Sequence, residues 1–146
     1  MTTNRIGFWP HVSEDMLPNI AKAIWSFLSK PSFIAIDAEM GAGKTTMVRA
    51  LLNTAGISNF EGSPTFAIIQ AYDSPNAGAI YHLDCYRIEN ERELPNLGLD
   101  ELFDENAHFF VEWPQKIAPI IPKQHFTLYI RIEPDQCREI SLCYDH

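Results

Sequence analysis

The chain has 146 residues, 46% of them apolar, which is enough for one domain with a real core and leaves little room for a second, so a single domain over 1–146 is expected. Lys and Arg total 11 against 19 Asp and Glu, and the net charge of −8 sets the chain against direct, autonomous binding to a nucleic-acid backbone. No apolar run approaches the roughly 20 residues needed to span a bilayer, and the opening "MTTNRIGFWPHVSED" has no signal-peptide core; no membrane association and a cytoplasmic location are the expectation.

Ser13 followed by "EDMLPNIAKAIWSFL" predicts an N-cap, an acidic first turn and an amphipathic helix, with Leu17, Ile20, Ala21, Ile24 and Leu28 on one stripe and Pro18 in the first turn. After Lys30-Pro31, "SFIAI" is apolar without alternation, the pattern of a strand buried on both faces. A second helix, "KTTMVRALLNTAG", closes at Gly56. From residue 65 strands dominate: "TFAIIQAYD" and "AIYHLDCYR" flank a "SPNAG" turn and read as a hairpin. "ENERELPNLGLDELFD" is polar and helical in pieces, "AHFFVEW" is a further buried strand, and "HFTLYIRI" and "REISLCY" alternate around "EPDQC". Cys85, Cys137 and Cys143 are odd in number, have no CxxC or zinc-finger spacing, and read as buried thiols.

Between the first buried strand and the second helix lies "AEMGAGKTT", residues 38–46, the GxxxxGK[ST] phosphate loop with Ala38 in place of its first glycine. Backbone N–H groups from Gly41 through Ala42, Gly43 and Lys44 to Thr46 can converge on phosphate oxygens at the positive end of a helix. Lys44 adds a mobile charge and Thr45 a hydroxyl placed for Mg²⁺. Ala38 stands at the strand exit, before those N–H groups; its methyl costs little at negative φ and roughly 1 kcal/mol or more at positive φ.

Hydrolysis also needs acids and something to orient water. "HFFVE" ends a buried strand in Glu112, the Walker-B pattern, although a surface Glu at a strand edge would read the same way. Asp84, in "YHLDCYR", ends another strand and is equally a strand-end capping residue. Thr65, in "SPTF", is placed to sense a γ-phosphate and Mg²⁺ from a loop, or simply enters a strand after a turn. His82 shares a strand face with Asp84, and no third ligand for a metal is evident.

Taken in order, "AEMGAGKTT", "SPTF", "HLDCYR" and "VEWP" resemble the TsaE family, small P-loop ATPases of bacterial tRNA threonylcarbamoyladenosine synthesis, over roughly residues 8 to 122. The family pattern runs close to GDLGAGKTT, SPTF or SPTY, HxDLYR and EWP, so the chain departs at Ala38, Glu39, Met40 and Cys85. The resemblance implies an α/β, P-loop NTPase-like three-layer fold with a mixed parallel and antiparallel sheet, with Mg²⁺-ATP as ligand and weak hydrolysis by the isolated protein. It implies that Lys44 and Thr45 bind phosphate and Mg²⁺, that Glu112 is a second Mg²⁺-side ligand, and that Asp84 serves hydrolysis. Thr65 and Trp113 match positions important for activity, Trp113 being also explicable as a packing aromatic. It places the stretch from His11 to Glu14 near the adenine. TsaB and TsaD are the implied partners, with tRNA reached only through them.

Two rivals use the same loop. A small-molecule kinase wants an acceptor pocket and an arginine-bearing lid, whereas Arg49, Arg87, Arg92, Arg131 and Arg138 are scattered. A non-hydrolysing module, in which ATP only holds a surface in shape, is the other. No NKxD motif supports a GTPase.

Overall fold

The structure, a computed structural model, describes residues 2–60, 62 and 68–146. Seven strands form one sheet: β1 (Thr3–Val12), β2 (Phe33–Ala38), β3 (Ile69–Ser74), β4 (Gly78–Asp84), β5 (His108–Glu112), β6 (His125–Ile132) and β7 (Arg138–Asp145). Their spatial order is β1-β7-β6-β2-β5-β4-β3. The inner strands β6, β2, β5 and β4 run parallel, while β3 joins β4, and β7 and β1 join β6, by antiparallel pairing. The mixed α/β architecture is therefore as the sequence leads one to expect, and both hairpins are present, although the first strand of the earlier one begins at Ile69 and residues 65–67 of the expected run lie outside the described residues.

Helices cover both faces. On one lie α1 (Leu17–Ser26) and α2 (Lys44–Thr54); on the other lie the short α3 (Leu94–Leu97) and α4 (Leu99–Leu102) with a 3-10 segment at Pro114–Ile120. The stripe on α1 buries Leu17, Ile20, Ala21 and Ile24, with Leu28 just beyond, against Met47, Val48, Leu51 and Leu52 of α2. Trp25 adds a hydrogen bond, its Nε1–H donating to the Leu51 carbonyl at 2.9 Å. Alternation then divides β2: Ile34 and Ile36 face these helices, and Phe33 and Ala35 face the opposite core with Phe109, Val111 and Ile117. Two apolar layers thus clamp the strands that carry the loop and the acids. Among the described residues no helix is long and apolar enough to cross a membrane.

Three features differ from the expectation. Strand β1 was not foreseen; it holds Gly7 and Pro10 and has two register shifts against β7, between Arg5 and Gly7 and between Trp9 and Val12, which break the period of two that marks a strand. The helix after Ser13 begins as a 3-10 turn, Glu14–Met16, before α1 proper. Cys85 and Cys143 are buried free thiols, Cys85 pushed up to about 12 by burial, but Cys137 is only partly covered because it lies in the β6–β7 turn rather than in a core.

Candidate active site

Strand β2 ends at Ala38, and residues 39–43 turn sharply into α2. The turn is closed by the Ala42 amide donating to the Glu39 carbonyl at 3.0 Å, and the helix opens with the Met47 amide donating to Gly43 at 3.0 Å. Gly41 and Gly43 have φ of +79° and +95°. A side chain at Gly41 would meet nothing within 4 Å, so backbone conformation, not space in the protein, calls for glycine there. Ala38 is paired with Ile130 in the sheet, and the non-glycine residues of positive φ among those described are His11, Trp113 and Gln136. Its methyl therefore sits on ordinary strand backbone and the missing glycine leaves no strain.

The acids arrive from β5, which lies beside β2, and from β4, the next strand out. Glu112 is in register with Ile36 of β2 on one side and with Asp84 of β4 on the other. Both carboxylates thus stand side by side at strand ends, with Asp84 near enough to the loop's Lys44 to feel its charge. Glu112 is 2% exposed, which excludes the reading as a surface residue. His82, wholly buried, brings Nε2 to 2.5 Å from Glu112 Oε2, while its Nδ1 has no hydrogen-bond partner among the described residues. The histidine thus supports an acid. Asp84 is half-buried and accepts from the Tyr86 amide at 3.1 Å. Burial pushes its carboxyl above the usual carboxylate range and the charge of Glu112 adds to that, while the Tyr86 amide, His82 and Lys44 oppose it.

Lys44 does not project freely. Its ammonium lies 4.0 Å from the centroid of the Trp113 ring, which in turn meets Tyr86 at 5.0 Å. Trp113 follows Glu112 directly and has φ of +56°, uncommon for an aromatic residue, so the chain turns abruptly as it leaves β5 and lays the indole against the loop. The ring therefore contacts the loop's lysine as well as its aromatic neighbour. Thr45 and Thr46 occupy the first turn of α2. Thr65 lies outside the described residues.

On the other side of the loop is a cleft of about 290 Å³. Val12, Leu17, Met47 and Ile140 give it an apolar floor, and Ser13, Glu14, Gln136 and Arg138 give it polar walls. Of the stretch His11 to Glu14, the last three residues line this cleft; His11 instead fastens its rim. The His11 amide donates to Glu133 Oε1 at 2.7 Å and its Nδ1 lies 3.0 Å from Glu133 Oε2 and 3.4 Å from Asp135 Oδ2, tying the end of β1 to the β6–β7 turn. The Cys137 amide holds the Asp135 carboxyl below the usual carboxylate range.

Arg138 is the residue that sequence reasoning missed. It stands 95 positions beyond Gly43, yet its guanidinium donates to the carbonyls of Ala42, through Nε at 2.9 Å, and Gly41, through Nη2 at 3.4 Å. No local signal marks it, since nothing in an alternating strand says which loop its first residue will meet.

The arrangement offers a ring of backbone donors, one ammonium, and hard oxygen donors on Thr45, Glu112 and Asp84, beside a cleft wide enough for a planar apolar group. Hydroxyl and carboxylate oxygens are the donors Mg²⁺ takes, so the residues present fit that ion.

Known proteins resemble this chain over most of its length. Residues 11–140 match the family model described as "Threonylcarbamoyl adenosine biosynthesis protein TsaE". The tRNA threonylcarbamoyladenosine biosynthesis protein TsaE of Bacillus subtilis is 34% identical over 91% of this chain and 82% of its own length. The protein of the same name from Borreliella burgdorferi is 34% identical over 82% of this chain and 88% of its own. A crystal structure of Bacillus subtilis YdiB superposes with a TM-score of 0.81 at 26% identity, covering 100% of this chain and 89% of that one.

Proposed function

Because the chain belongs to the TsaE family of threonylcarbamoyl adenosine biosynthesis proteins, we propose that it binds Mg²⁺-ATP and hydrolyses it slowly in support of tRNA threonylcarbamoyladenosine modification, acting with TsaB and TsaD. The observation that carries this reading is the meeting of a glycine-shaped loop at the start of α2 with two carboxylates in register at the ends of β4 and β5. That is the equipment for holding a triphosphate and working on its last bond.

In this reading the amides of residues 41–46 and the Lys44 ammonium bind the β- and γ-phosphates, and the apolar cleft between α1 and the β6–β7 turn takes the base. Thr45 and Glu112 hold the metal; Mg²⁺, when bound, supplies positive charge to the phosphate oxygens. Asp84, whose carboxyl burial makes more basic, orients or deprotonates the attacking water. Thr65 is assigned to sensing the γ-phosphate. Lys44 must leave the face of Trp113 to reach a phosphate, so the indole competes with nucleotide for the ammonium, and a partner that moves Trp113 would favour turnover. The net charge of −8 suits a protein whose tRNA contact belongs to its partners.

Phosphate release from Mg²⁺-ATP, measured with and without a TsaB–TsaD pair, tests the proposal. Slow basal release, accelerated by the pair and lost in Lys44→Ala, is expected. Release that is absent under every condition, with ATP still bound, would make the protein a non-hydrolysing module; phosphate appearing on an added metabolite would make it a kinase.

A further inference from the structure

We propose that Arg138 is a positioning residue for the phosphate loop, a brace that fixes the direction of the loop's amides from the far end of the chain. The proposal rests on reading residues 38–46 as a nucleotide phosphate site. In a trans peptide the carbonyl and the following N–H point opposite ways, so whatever holds one aims the other. Arg138 holds the Ala42 carbonyl at 2.9 Å and the Gly41 carbonyl at 3.4 Å. The Ala42 amide is already engaged by Glu39. Fixing the Ala42 carbonyl therefore aims the Gly43 amide, in the one stretch of the loop where φ values of +79° and +95° leave glycine free to swing.

The brace is itself anchored. Arg138 is in register with Val12 of β1 and with Ile132 of β6, and its Nη1 donates to the Gln136 carbonyl at 2.5 Å. A guanidinium is a planar fork that stays charged and spreads its donors over fixed directions, so it can join the β6–β7 turn to two consecutive carbonyls of the loop. An ammonium at the same place would supply the charge without the fork. Arg138 also walls the cleft proposed for the base, which makes a direct role in base binding the alternative that the test must separate.

Hydrogen exchange on the nucleotide-free protein and affinity for three probes decide the matter: ATP, inorganic tripolyphosphate, which has no base, and adenosine, which has no phosphate. In Arg138→Gln, exchange at the amides of residues 41–46 should quicken about tenfold while those of β2 and β5 in the same molecules do not change. ATP and tripolyphosphate should each lose about tenfold in affinity, the effect of one lost charge-assisted hydrogen bond, and adenosine should lose none. Arg138→Lys should recover only part of the loss. Loop exchange that is unchanged, or that rises uniformly with β2 and β5, overturns the brace. Loss confined to adenosine assigns Arg138 to the base and overturns it too, and full recovery in Arg138→Lys reduces it to a point charge. If the wild-type protein binds neither ATP nor tripolyphosphate, the functional reading fails, while the exchange measurement still decides whether the loop is braced.

Discussion

Strand β5 is five residues long, and its two ends follow different rules. At the start, His108 is buried edge-on to Trp25 with ring centroids 5.0 Å apart, and its Nδ1 accepts the Ser32 amide. Beside it Phe33 opens β2 among Phe103, Phe109 and His125. At the finish, Glu112 is equally buried but leans on a histidine whose other nitrogen has no partner among the described residues, and the next residue has positive φ. One end is settled by packing. The other keeps charge, strain and an unmatched polar atom together, which is where chemistry is usually built.

If that contrast is right, mutations at the start should affect stability alone and mutations at the finish should affect function alone. The largest stability effect is expected for Phe33→Ala, which removes a ring that is 5% exposed and should cost about 3–4 kcal/mol in urea unfolding. Nucleotide affinity under folding conditions should not change; a matching loss would erase the contrast. Lys44→Ala is the mirror image, lowering ATP turnover about a hundredfold or more while stability moves by less than about 1 kcal/mol, the worth of its contact with Trp113.

The two acids subdivide the finishing end. Glu112→Gln should weaken Mg²⁺-dependent nucleotide binding by about tenfold, whereas Asp84→Asn should chiefly lower turnover. Titrating nucleotide binding against Mg²⁺ in both variants checks this, and equal or reversed effects would reject the division of labour.

The smallest effect concerns His108, whose imidazole burial holds below its ordinary 6.5. The folded state then favours the neutral ring, while the unfolded chain takes up a proton near the ordinary value. Its contribution is full above 6.5 and declines as pH falls through the lower folded value. Thermal unfolding should therefore show wild type losing more stability than His108→Asn on acidification from neutrality. Parallel pH profiles would mean that His108 does not titrate on unfolding as described.

The loop was legible because its chemistry is contiguous: a strand, two glycines of positive φ, Lys44 and the first turn of a helix follow one another in sequence. The acids were legible as strand ends, since a run such as "HFFVE" announces burial and then stops on a charge. What escaped depends on pairing. That Asp84 and Glu112 are side by side follows from the parallel register of β4 and β5, and that Arg138 meets the loop follows from β7 folding back along β6. His82 belonged to a recognised motif, but its hold on Glu112 crosses 30 residues and two strands. Cys137 departs from the expected buried thiol because it lies in the β6–β7 turn, where the chain covers it only in part.

The irregularity of β1 has a bearing on how molecules of this protein meet one another. Among the described residues β1 and β3 are the sheet's outer strands, with no further strand beyond either, and outer strands are where strand addition joins folded proteins into fibres and mispaired dimers. At β1 the ladder is interrupted twice and includes Pro10, which has no N–H to offer, so an incoming strand cannot zip along it. Residues Ile69–Ser74 of β3 pair with β4 without a register shift, so β3 presents the more regular template. Self-association by sheet extension should begin there, and a lysine placed on the exposed Ala71 would oppose it without touching the cleft beside the loop.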